Sequence, residues 1–438
     1  MRFTKSLIRL RSESLYLWIL ILLSVCLFDL NTAHAIQQKR GQTQVDIQIT
    51  ETNIALVDTK TKSYKLYPVS QYETNYLNRP DNKIDIAKAA LIVAKGFYPD
   101  IDVQKYLGQV NMMAKELRSE LRGVKNPANL IKRINFYFFV KRWLKYNKDN
   151  WFLNNVFDHR KGNCSSFTYL YLSVAKRLRL PFYAVAAPNH VFVRYDHKGV
   201  KINVETTSNG RQISDKGYIK QYNIPLRSIK QGIYMRNKTK KQLIADMLRN
   251  RGVSFVRTGK LKMAIRDFDK AISFNPVYSE AYFNRGIAYA KKGDFQKAIK
   301  DYNKASILNY TWIKPYMNRA LVYHEIKDYD RAIKDYDKVI SLNPKDYKAY
   351  YLSGVCYFDK GNTVKAMQYF NKANSFNPKD AKPYYMRARI FSIRNDKGKM
   401  LKDLNKVIQL GPALKEQLRQ DAVFNKWHND QEFRRLLK

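Results

Sequence analysis

Small and bulky apolar residues recur along the second half of the chain with a spacing of 34 residues. Within each unit the apolar positions follow helical intervals in two segments, which predicts one pair of helices per unit. Two positions of each unit are small, as expected where two helices approach closely. The first is occupied by Gly252, Gly286, Ala320, Gly354 and Ala388. The second is occupied by Ala264, Ala298, Ala332 and Ala366, and by Met400 in the last unit. Two further positions are bulky and would fill the space between the paired helices, namely Phe255, Tyr289, Tyr323, Tyr357 and Phe391, and then Phe268, Tyr302, Tyr336, Phe370 and Leu404.

This pattern resembles the tetratricopeptide repeat family, with five units over residues 245–414 and capping helices over residues 415–438. The resemblance implies an all-α superhelix whose concave groove binds a protein or a peptide. The residues that it places in the groove are Phe283, Asn284, Met317, Asn318, Leu321 and Tyr351. Asn284 and Asn318 also belong to the generic consensus of the repeat, which leaves a purely structural role open for them.

A different pattern occupies the first half of the chain. Residues 84–122 show helical periodicity in two segments broken at Pro99 and Asp100, and residues 127–147 continue as an aromatic-rich helix. Apolar spacing after Cys164 is again helical, whereas residues 182–187, 190–195 and 201–206 predict strands. We therefore expect an N-terminal lead segment over residues 36–83, an α+β domain over residues 84–235 and a polar linker over residues 236–244. The repeats would then fold on their own from about Asn237.

Candidate chemistry lies in this α+β domain. Cys164 is predicted at a helix N-terminus, where unpaired N–H groups and the helix dipole stabilise a thiolate. A four-residue hairpin loop, Asp196 to Gly199, would pair Tyr195 with Val200 and place His190 directly opposite Glu205, with Cβ atoms about 5 Å apart. A loop of odd length would put those two side chains on opposite faces. A cysteine, an imidazole and an orienting carboxylate are the groups of nucleophilic acyl transfer.

The motifs around these residues resemble the transglutaminase-like core domain of the SirB type. They are the stretches 160–166 (RKGNCSS), 188–194 (PNHVFVR) and 202–207 (INVETT). The resemblance implies a papain-like fold in which Cys164 attacks an amide, His190 is the general base and Glu205 takes the place usually held by aspartate. Asn189 stands where glycine is common, which is compatible because asparagine tolerates a positive φ.

The fold class expected is thus an α+β transglutaminase-like (papain-like) domain plus an all-α tetratricopeptide superhelix. Two functions follow from it. The first is amide acyl transfer or hydrolysis on a peptide or peptidoglycan-type substrate. The second is a non-catalytic scaffold or adaptor that acts through the repeat groove.

The first 35 residues show the pattern of a secretory signal peptide. Basic residues precede an apolar run of 14 residues from Leu15 to Phe28, and Ala33-His34-Ala35 follows. A bilayer span needs about 20 residues, so we expect cleavage after Ala35, with a retained membrane anchor as the alternative. The mature protein would be exported to the periplasm or cell envelope.

The 80 Lys and Arg residues exceed the 37 Asp and Glu residues, which gives a formal net charge of +43. The excess runs along both halves of the chain, whereas a nucleic-acid site concentrates its charge on one stripe or helix. We therefore expect a solvated basic surface and no specific nucleic-acid binding, and an anionic envelope surface is a further partner that such a charge permits. The sequence leaves the oligomeric state open.

The remaining chemical groups are fewer. Three cysteines, Cys26, Cys164 and Cys356, cannot form a disulfide framework, and Cys356 is expected to be packed inside the fourth repeat. His159 is a rival base or metal ligand, but it has no compact metal-ligand spacing with Cys164 and His190. The sequence contains no P-loop, dinucleotide fingerprint or serine-hydrolase elbow. We therefore expect neither a cofactor nor a metal.

Overall fold

A computed structural model describes residues 70–438. The predicted signal peptide and most of the lead segment, residues 1–69, lie outside the described residues. The described chain divides into two compact units, residues 70–310 and residues 311–438, and each is considered by itself. Between residues 70 and 438, none of the helices has both the length and the apolarity that a bilayer span requires.

Helices open the first unit. Asp85 caps one of them and Asp102 caps the next, and the intervening residues include Pro99, so the break predicted there is confirmed. The aromatic-rich stretch differs from its prediction, because the α-helix gives way to a π-helical segment at Phe136–Lys141. The α-helices of this part are α1 (Gln71–Leu77), α2 (Ile86–Lys95), α3 (Val103–Glu120) and α4 (Pro127–Asn135).

A four-stranded antiparallel sheet follows, with the strands in sequence order. A separate two-stranded parallel pair precedes it. The strands are β1 (Lys145–Tyr146) and β2 (Lys161–Gly162) in the pair, and β3 (Phe182–Ala187), β4 (His190–His197), β5 (Val200–Glu205) and β6 (Arg211–Gln212) in the sheet. The helices of this region are α5 (Leu153–His159), α6 (Cys164–Arg177), α7 (Asp215–Gln221) and α8 (Leu226–Lys230).

The register of β4 against β5 differs from the expected one by two residues. His197 pairs with Val200, so the loop contains only Lys198 and Gly199 instead of four residues. Both loop residues have positive φ, 48° and 81°, which is typical of the two-residue turns that match the twist of a hairpin. Side chains alternate between the faces with a period of two, so a shift of two residues keeps every side chain on its expected face.

Residues 236–244 differ from the linker that was expected there. Met235 N–H donates to the Ala186 carbonyl and Lys238 N–H donates to the Ala184 carbonyl, so the segment runs along β3. Helix α9 (Lys240–Arg257) then begins within the supposed linker, capped by Thr239. The segment is ordered because its backbone groups find partners on the sheet.

The first repeats share a hydrophobic core with the α+β domain. Leu243, Ile244, Met247 and Leu248 of α9 are buried in the same cluster as the apolar face of α2. The compact unit accordingly extends to residue 310 and includes the first two helix pairs. Their helices are α9, α10 (Leu261–Phe274), α11 (Ser279–Lys291) and α12 (Phe295–Leu308).

The second unit contains three further helix pairs and the C-terminal helices. The pairs are α13 (Ile313–Glu325) with α14 (Tyr329–Leu342), α15 (Tyr347–Asp359) with α16 (Thr363–Phe376), and α17 (Ala381–Ile393) with α18 (Lys397–Leu410). Helices α19 (Lys415–Gln420) and α20 (Gln431–Leu437) follow. Leu418, Phe424, Phe433 and Leu437 are buried in one cluster with the last repeat.

The close approach predicted at the small positions is confirmed in the repeats. A Cβ atom added to Gly252 would lie 2.5 Å from the ring of Phe268, and one added to Gly354 would lie 2.6 Å from the ring of Phe370. The bulky residues that face these small positions are buried in every repeat, namely Phe268, Tyr302, Tyr336, Phe370 and Leu404. The second series of bulky residues, which begins with Phe255, is fully buried only at Phe255 itself, in the first repeat.

An ion pair joins the two helices in four of the five repeats. An arginine of the first helix makes two hydrogen bonds, 2.5–2.8 Å long, to an aspartate of the second helix; the pairs are Arg251–Asp267, Arg285–Asp301, Arg319–Asp335 and Arg387–Asp403. In the fourth repeat Ser353 and Tyr369 occupy the two positions. Both charges are absent together, so that no buried ion is left without its partner.

Arg251 does more than the other arginines, because it also binds the N-terminal helices. Its side chain is 1 % exposed and donates to Glu73 of α1 at 2.7 Å and to the Val93 carbonyl of α2 at 3.0 Å. We expect Arg251→Ala to lower the free energy of unfolding by about 3–5 kcal/mol, since it leaves Glu73 and Asp267 buried without a counter-charge. Urea denaturation of the full chain measures this loss.

Arg285→Ala is the matched control for that experiment. The Arg285 side chain is 19 % exposed and forms ion pairs with Asp301 of its own helix pair and with Asp269 of the preceding repeat, so both of these partners lie within the repeats and we expect a loss of about 1–2 kcal/mol. Equal losses for the two variants would contradict the view that Arg251 holds the first repeat against the N-terminal domain.

Candidate active site

Cys164 is the first residue of helix α6 and is half-buried. The preceding Asn163 caps the helix, because its side-chain oxygen accepts from the N–H groups of Ser165 and Ser166 at 2.9 and 3.1 Å. The Ser166 hydroxyl in turn accepts from the Asn163 N–H at 2.9 Å, which completes a capping box. The cap serves the second and third N–H groups of the helix and leaves the Cys164 N–H without a partner in residues 70–438.

His190 faces this thiol from the start of β4. A two-residue turn, Pro188-Asn189, separates β3 from β4, and Asn189 has a φ of 54°. The positive φ expected of Asn189 is therefore confirmed. The imidazole lies close enough to Cys164 to lower the pKa of its thiol. Since Nε2 is engaged by Glu205, Nδ1 is the ring nitrogen that is left for the thiol.

Glu205 ends β5 and binds the imidazole, with its Oε2 2.6 Å from His190 Nε2. The corrected register makes the two residues diagonal neighbours instead of directly opposite ones, because continuing the ladder places Glu205 opposite Phe192. A glutamate spans a diagonal separation that a shorter side chain spans less easily. The structure thus brings Cys164, His190 and Glu205 together.

The Glu205 carboxylate is 3 % exposed, and both of its oxygens are engaged. The Tyr218 hydroxyl donates to Oε2 at 2.9 Å, beside His190. The Thr207 N–H and hydroxyl donate to Oε1 at 2.9 and 2.6 Å. A buried carboxylate with this many donors is held in one orientation and in its charged form.

Two aromatic rings, one in α7 and one directly after it, pack against the imidazole. The Tyr222 ring stacks on His190 with centroids 5.2 Å apart and an interplanar angle of 10°. Tyr218, one helical turn earlier, stacks on Phe192 at 3.8 Å. A buried arginine fixes α7 to the sheet, since Arg194 Nη2 lies 2.6 Å from Asp215 at the start of that helix. The imidazole is therefore confined on its face as well as at its edge.

Three charges in this site depend on one another. Burial raises the pKa of Cys164, but the hydrogen bond and charge of His190, the Val191 N–H and the charge of Arg249 together lower it below its ordinary value. Burial lowers the pKa of His190, but the bonds to Cys164 and Glu205 outweigh it and raise the pKa to about 9. Burial likewise raises the pKa of Glu205, and His190 and Thr207 reverse the effect. The arrangement favours a thiolate beside an imidazolium.

Residues that the sequence patterns did not single out also line the site. Tyr218 and Tyr222 lie four residues apart, and that helical spacing is the signal that could have indicated them. Arg249 of α9 acts on the thiol from the first repeat, and its guanidinium stacks on the Trp151 ring at 5.8 Å. Nothing in the local sequence around Arg249 distinguishes it from the many other basic residues of the repeats.

Cys356 and His159 are the other two chemical groups that the sequence singled out. Cys356 is buried in the second unit, and burial raises its pKa. His159 is exposed at the end of α5. Over residues 70–438, no group of three or more histidine, cysteine, aspartate or glutamate side chains is arranged to hold a metal ion.

The predicted groove residues are placed less favourably for a ligand. Phe283, Met317, Leu321 and Tyr351 are 7, 7, 6 and 4 % exposed, because their side chains pack between helices. Phe283 packs against Tyr302 within the first unit, and the other three belong to the core of the second unit. Asn284 and Asn318 are half-buried, so they keep surface that a ligand could contact.

Comparison with family models assigns both halves of the chain. Residues 104–248 match the model described as the transglutaminase-like superfamily. Tetratricopeptide repeat models match residues 252–293, 279–309, 313–346 and 347–380. Repeats of this kind generally bind proteins or peptides.

Two curated relatives, each called "UPF0162 protein", come from two strains of Xylella fastidiosa. Each is 32 % identical to the chain over 120 residues, which is 26 % of this chain. The chain spans 43 % of the length of these relatives, and their name states no activity.

Solved structures of repeat proteins are also similar to the chain. MamA from Desulfovibrio magneticus is 24 % identical, with a TM-score of 0.36, and covers 41 % of this chain and 97 % of its own. YrrB, titled a TPR protein with an unusual peptide-binding site, is 22 % identical, with a TM-score of 0.35, and covers 40 % and 90 %. A tetratricopeptide repeat protein from Parabacteroides merdae is 25 % identical, with a TM-score of 0.37, and covers 39 % and 70 %. With TM-scores this low, these likenesses do not bear on function.

The papain-type arrangement in the first unit and the helix pairs after it agree with the two sets of family matches. The chain therefore contains a transglutaminase-like domain followed by a series of tetratricopeptide repeats.

Proposed function

We propose that the protein is a cysteine-nucleophile enzyme that transfers or hydrolyses the acyl group of an amide, with Cys164, His190 and Glu205 as its catalytic residues. The observation that carries the proposal is the His190 ring, which is bound to a buried carboxylate at 2.6 Å and acts electrostatically on a thiol at a helix N-terminus. This combination lowers the thiol pKa and keeps the imidazole protonated, which a purely structural cysteine does not need.

The reaction begins when the Cys164 thiolate attacks the carbonyl carbon of the amide, and the electron pair of the C=O bond moves to the oxygen. The oxyanion is received by the Cys164 backbone N–H at the start of α6, which has no other partner in residues 70–438. The His190 imidazolium then gives its proton to the amide nitrogen as the C–N bond breaks. A free amine leaves, and a thioester remains on Cys164.

The second half of the reaction removes the acyl group. Neutral His190 takes a proton from water or from an amine, which attacks the thioester carbon. The C–S bond breaks, so that the acid or the new amide leaves and the thiolate–imidazolium pair is restored. Glu205 stays ionised throughout and stabilises the imidazolium.

The repeats and the first 35 residues support the remaining parts of the proposal. The repeat groove would bind a protein or a peptide, with Asn284 and Asn318 as contact residues. The apolar run after a basic N-terminus supports export to the periplasm or cell envelope, where peptides linked to peptidoglycan are amide substrates. A non-catalytic scaffold that acts through the groove is the alternative that the first experiment below separates from the enzyme.

The thiol reactivity tests the catalytic proposal directly. At pH 7 we expect iodoacetamide to alkylate Cys164 about a hundredfold faster than the buried Cys356, with both rates read from one digest by mass spectrometry. His190→Ala should slow the alkylation of Cys164 by at least about tenfold, since the effect of burial then dominates and raises the pKa of the thiol. Two slow cysteines, indifferent to His190, would leave the scaffold function.

The role of Glu205 predicts a change in pH dependence. Glu205→Gln removes the charge that stabilises the imidazolium, so the pKa of His190 should fall from about 9 toward its ordinary value. With a lower pKa, less of His190 is protonated at neutral pH, so the thiolate loses the imidazolium that stabilises it. The thiolate fraction of Cys164 at neutral pH should therefore fall as well. The pH profile of Cys164 alkylation and the histidine NMR titration measure both shifts.

Thr207→Val is the control for that charge effect. It removes one donor to Glu205 but keeps the carboxylate, so we expect the pKa of His190 to move by a few tenths at most. If Glu205→Gln left the His190 titration where it is in the parent protein, the carboxylate would have no part in the site.

Export is tested with the N-terminal segment itself. A reporter enzyme that is active only outside the cytoplasm, fused after residue 40, should be active. Leu20→Arg should abolish that activity by interrupting the apolar run, whereas Ser14→Arg adds the same charge before the run and should preserve it. An active Leu20→Arg fusion would refute export through this segment.

A further inference from the structure

Arg249 of the first repeat lies beside the candidate active site. The carbonyl of Asn150 accepts from the N–H of Asn163, the cap of the helix that begins with Cys164. Trp151 follows Asn150 directly, and its ring carries the Arg249 guanidinium at 5.8 Å. These contacts connect Arg249 to the N-terminus of α6, and its charge is close enough to help lower the pKa of the Cys164 thiol.

The Arg249 guanidinium is hydrogen-bonded at one edge only. Its Nε donates to the Tyr278 hydroxyl at 3.1 Å, and within residues 70–438 the terminal nitrogens have neither a hydrogen bond nor an ion pair. Nearby carboxylates bind other groups: Lys238 lies 2.6 Å from Asp246, and the Ser279 hydroxyl donates to Glu280 at 2.8 Å. The charges of Asp246 and Glu280 act on Arg249, but in the described residues neither carboxylate bonds its terminal nitrogens, which leaves those N–H groups available to an anion from outside the chain.

Building on the acyl-transfer function proposed above, we propose that Arg249 recognises the substrate through a carboxylate that lies close to the amide attacked by Cys164. A guanidinium presents its two terminal nitrogens as a planar fork that matches a carboxylate. Tyr278 and Trp151 hold the fork at its other edge and on its face, so that its open side is available to a ligand. The substrate is then an acidic peptide, and a repeat helix supplies part of the specificity of the transglutaminase-like domain.

Two small alkylating agents test this inference without knowledge of the substrate. Iodoacetate carries a carboxylate and iodoacetamide is its neutral counterpart, and both react with the same thiolate. The ratio of their rates at Cys164 therefore reports attraction of the anion and cancels any change in thiol pKa. We expect Arg249→Gln to lower this ratio about tenfold, and Arg249→Lys, which keeps the charge, to retain most of it.

Arg257→Gln is the matched control, because Arg257 also lies over the Trp151 ring, at 5.6 Å, but is exposed. Its ratio should equal that of the parent protein. A ratio unchanged in Arg249→Gln would overturn the inference, as would an equal fall in both variants, which would indicate the general basic surface. Failure of the catalytic proposal is distinct, since it appears as an iodoacetamide rate indifferent to His190→Ala.

The carboxylate of a peptide can come from a side chain or from its C-terminus, and two further probes separate these sources. Faster labelling by a chloromethyl ketone of a peptide ending in glutamate than by its glutamine counterpart, lost in Arg249→Gln, indicates a side chain. Protection of Cys164 by Ala-Ala but not by Ala-Ala amide, with the same dependence on Arg249, indicates a C-terminus. If both effects were absent at millimolar concentrations of the probes, carboxylate recognition by Arg249 would be refuted.

Discussion

The buried guanidinium of Arg251 connects the two functional parts of the first unit. It binds Glu73 and the Val93 carbonyl in the N-terminal helices and Asp267 in the first repeat. A buried cation with this many partners fixes the helix that carries it, because any displacement would leave charges unpaired in an apolar surrounding. Helix α9 is thereby placed against the α+β domain, and Arg249, two residues earlier on the same helix, is carried to the edge of the candidate active site.

The active-site charges follow the same rule of pairing in a site from which water is largely excluded. The thiol, the imidazole and the carboxylate would each be destabilised in their charged forms if buried alone. Together they stabilise one another, and Thr207 and Tyr218 satisfy the remaining oxygen positions of Glu205. The stack on Tyr222 limits rotation of the imidazole. The geometry is thus prepared before any substrate binds, which is the condition for electrostatic catalysis.

The repeats show how a regular fold accommodates an exception. Four of the five helix pairs are joined by an arginine–aspartate ion pair. The helix pair of the fourth repeat lacks both charged residues and has Ser353 and Tyr369 in their places. Loss of one member alone would leave a buried charge, whereas loss of both leaves neutral side chains that pack. The contact between glycine and an aromatic ring persists in that repeat, at Gly354 and Phe370. The close approach of the helices therefore does not depend on the ion pair.

The sequence by itself determined those features that arise from local periodicity. The 34-residue spacing indicates the helix pairs, and the helical apolar spacing after Cys164 places this residue at a helix start. The alternation of side chains along the strands puts His190 and Glu205 on one face for any hairpin loop of even length. Only the tertiary structure decided the two-residue turn at Lys198 and Gly199, the packing of the supposed linker along β3, and the position of Arg249 beside the thiol. These depend on contacts between segments far apart in sequence, whose relative free energies no local pattern records.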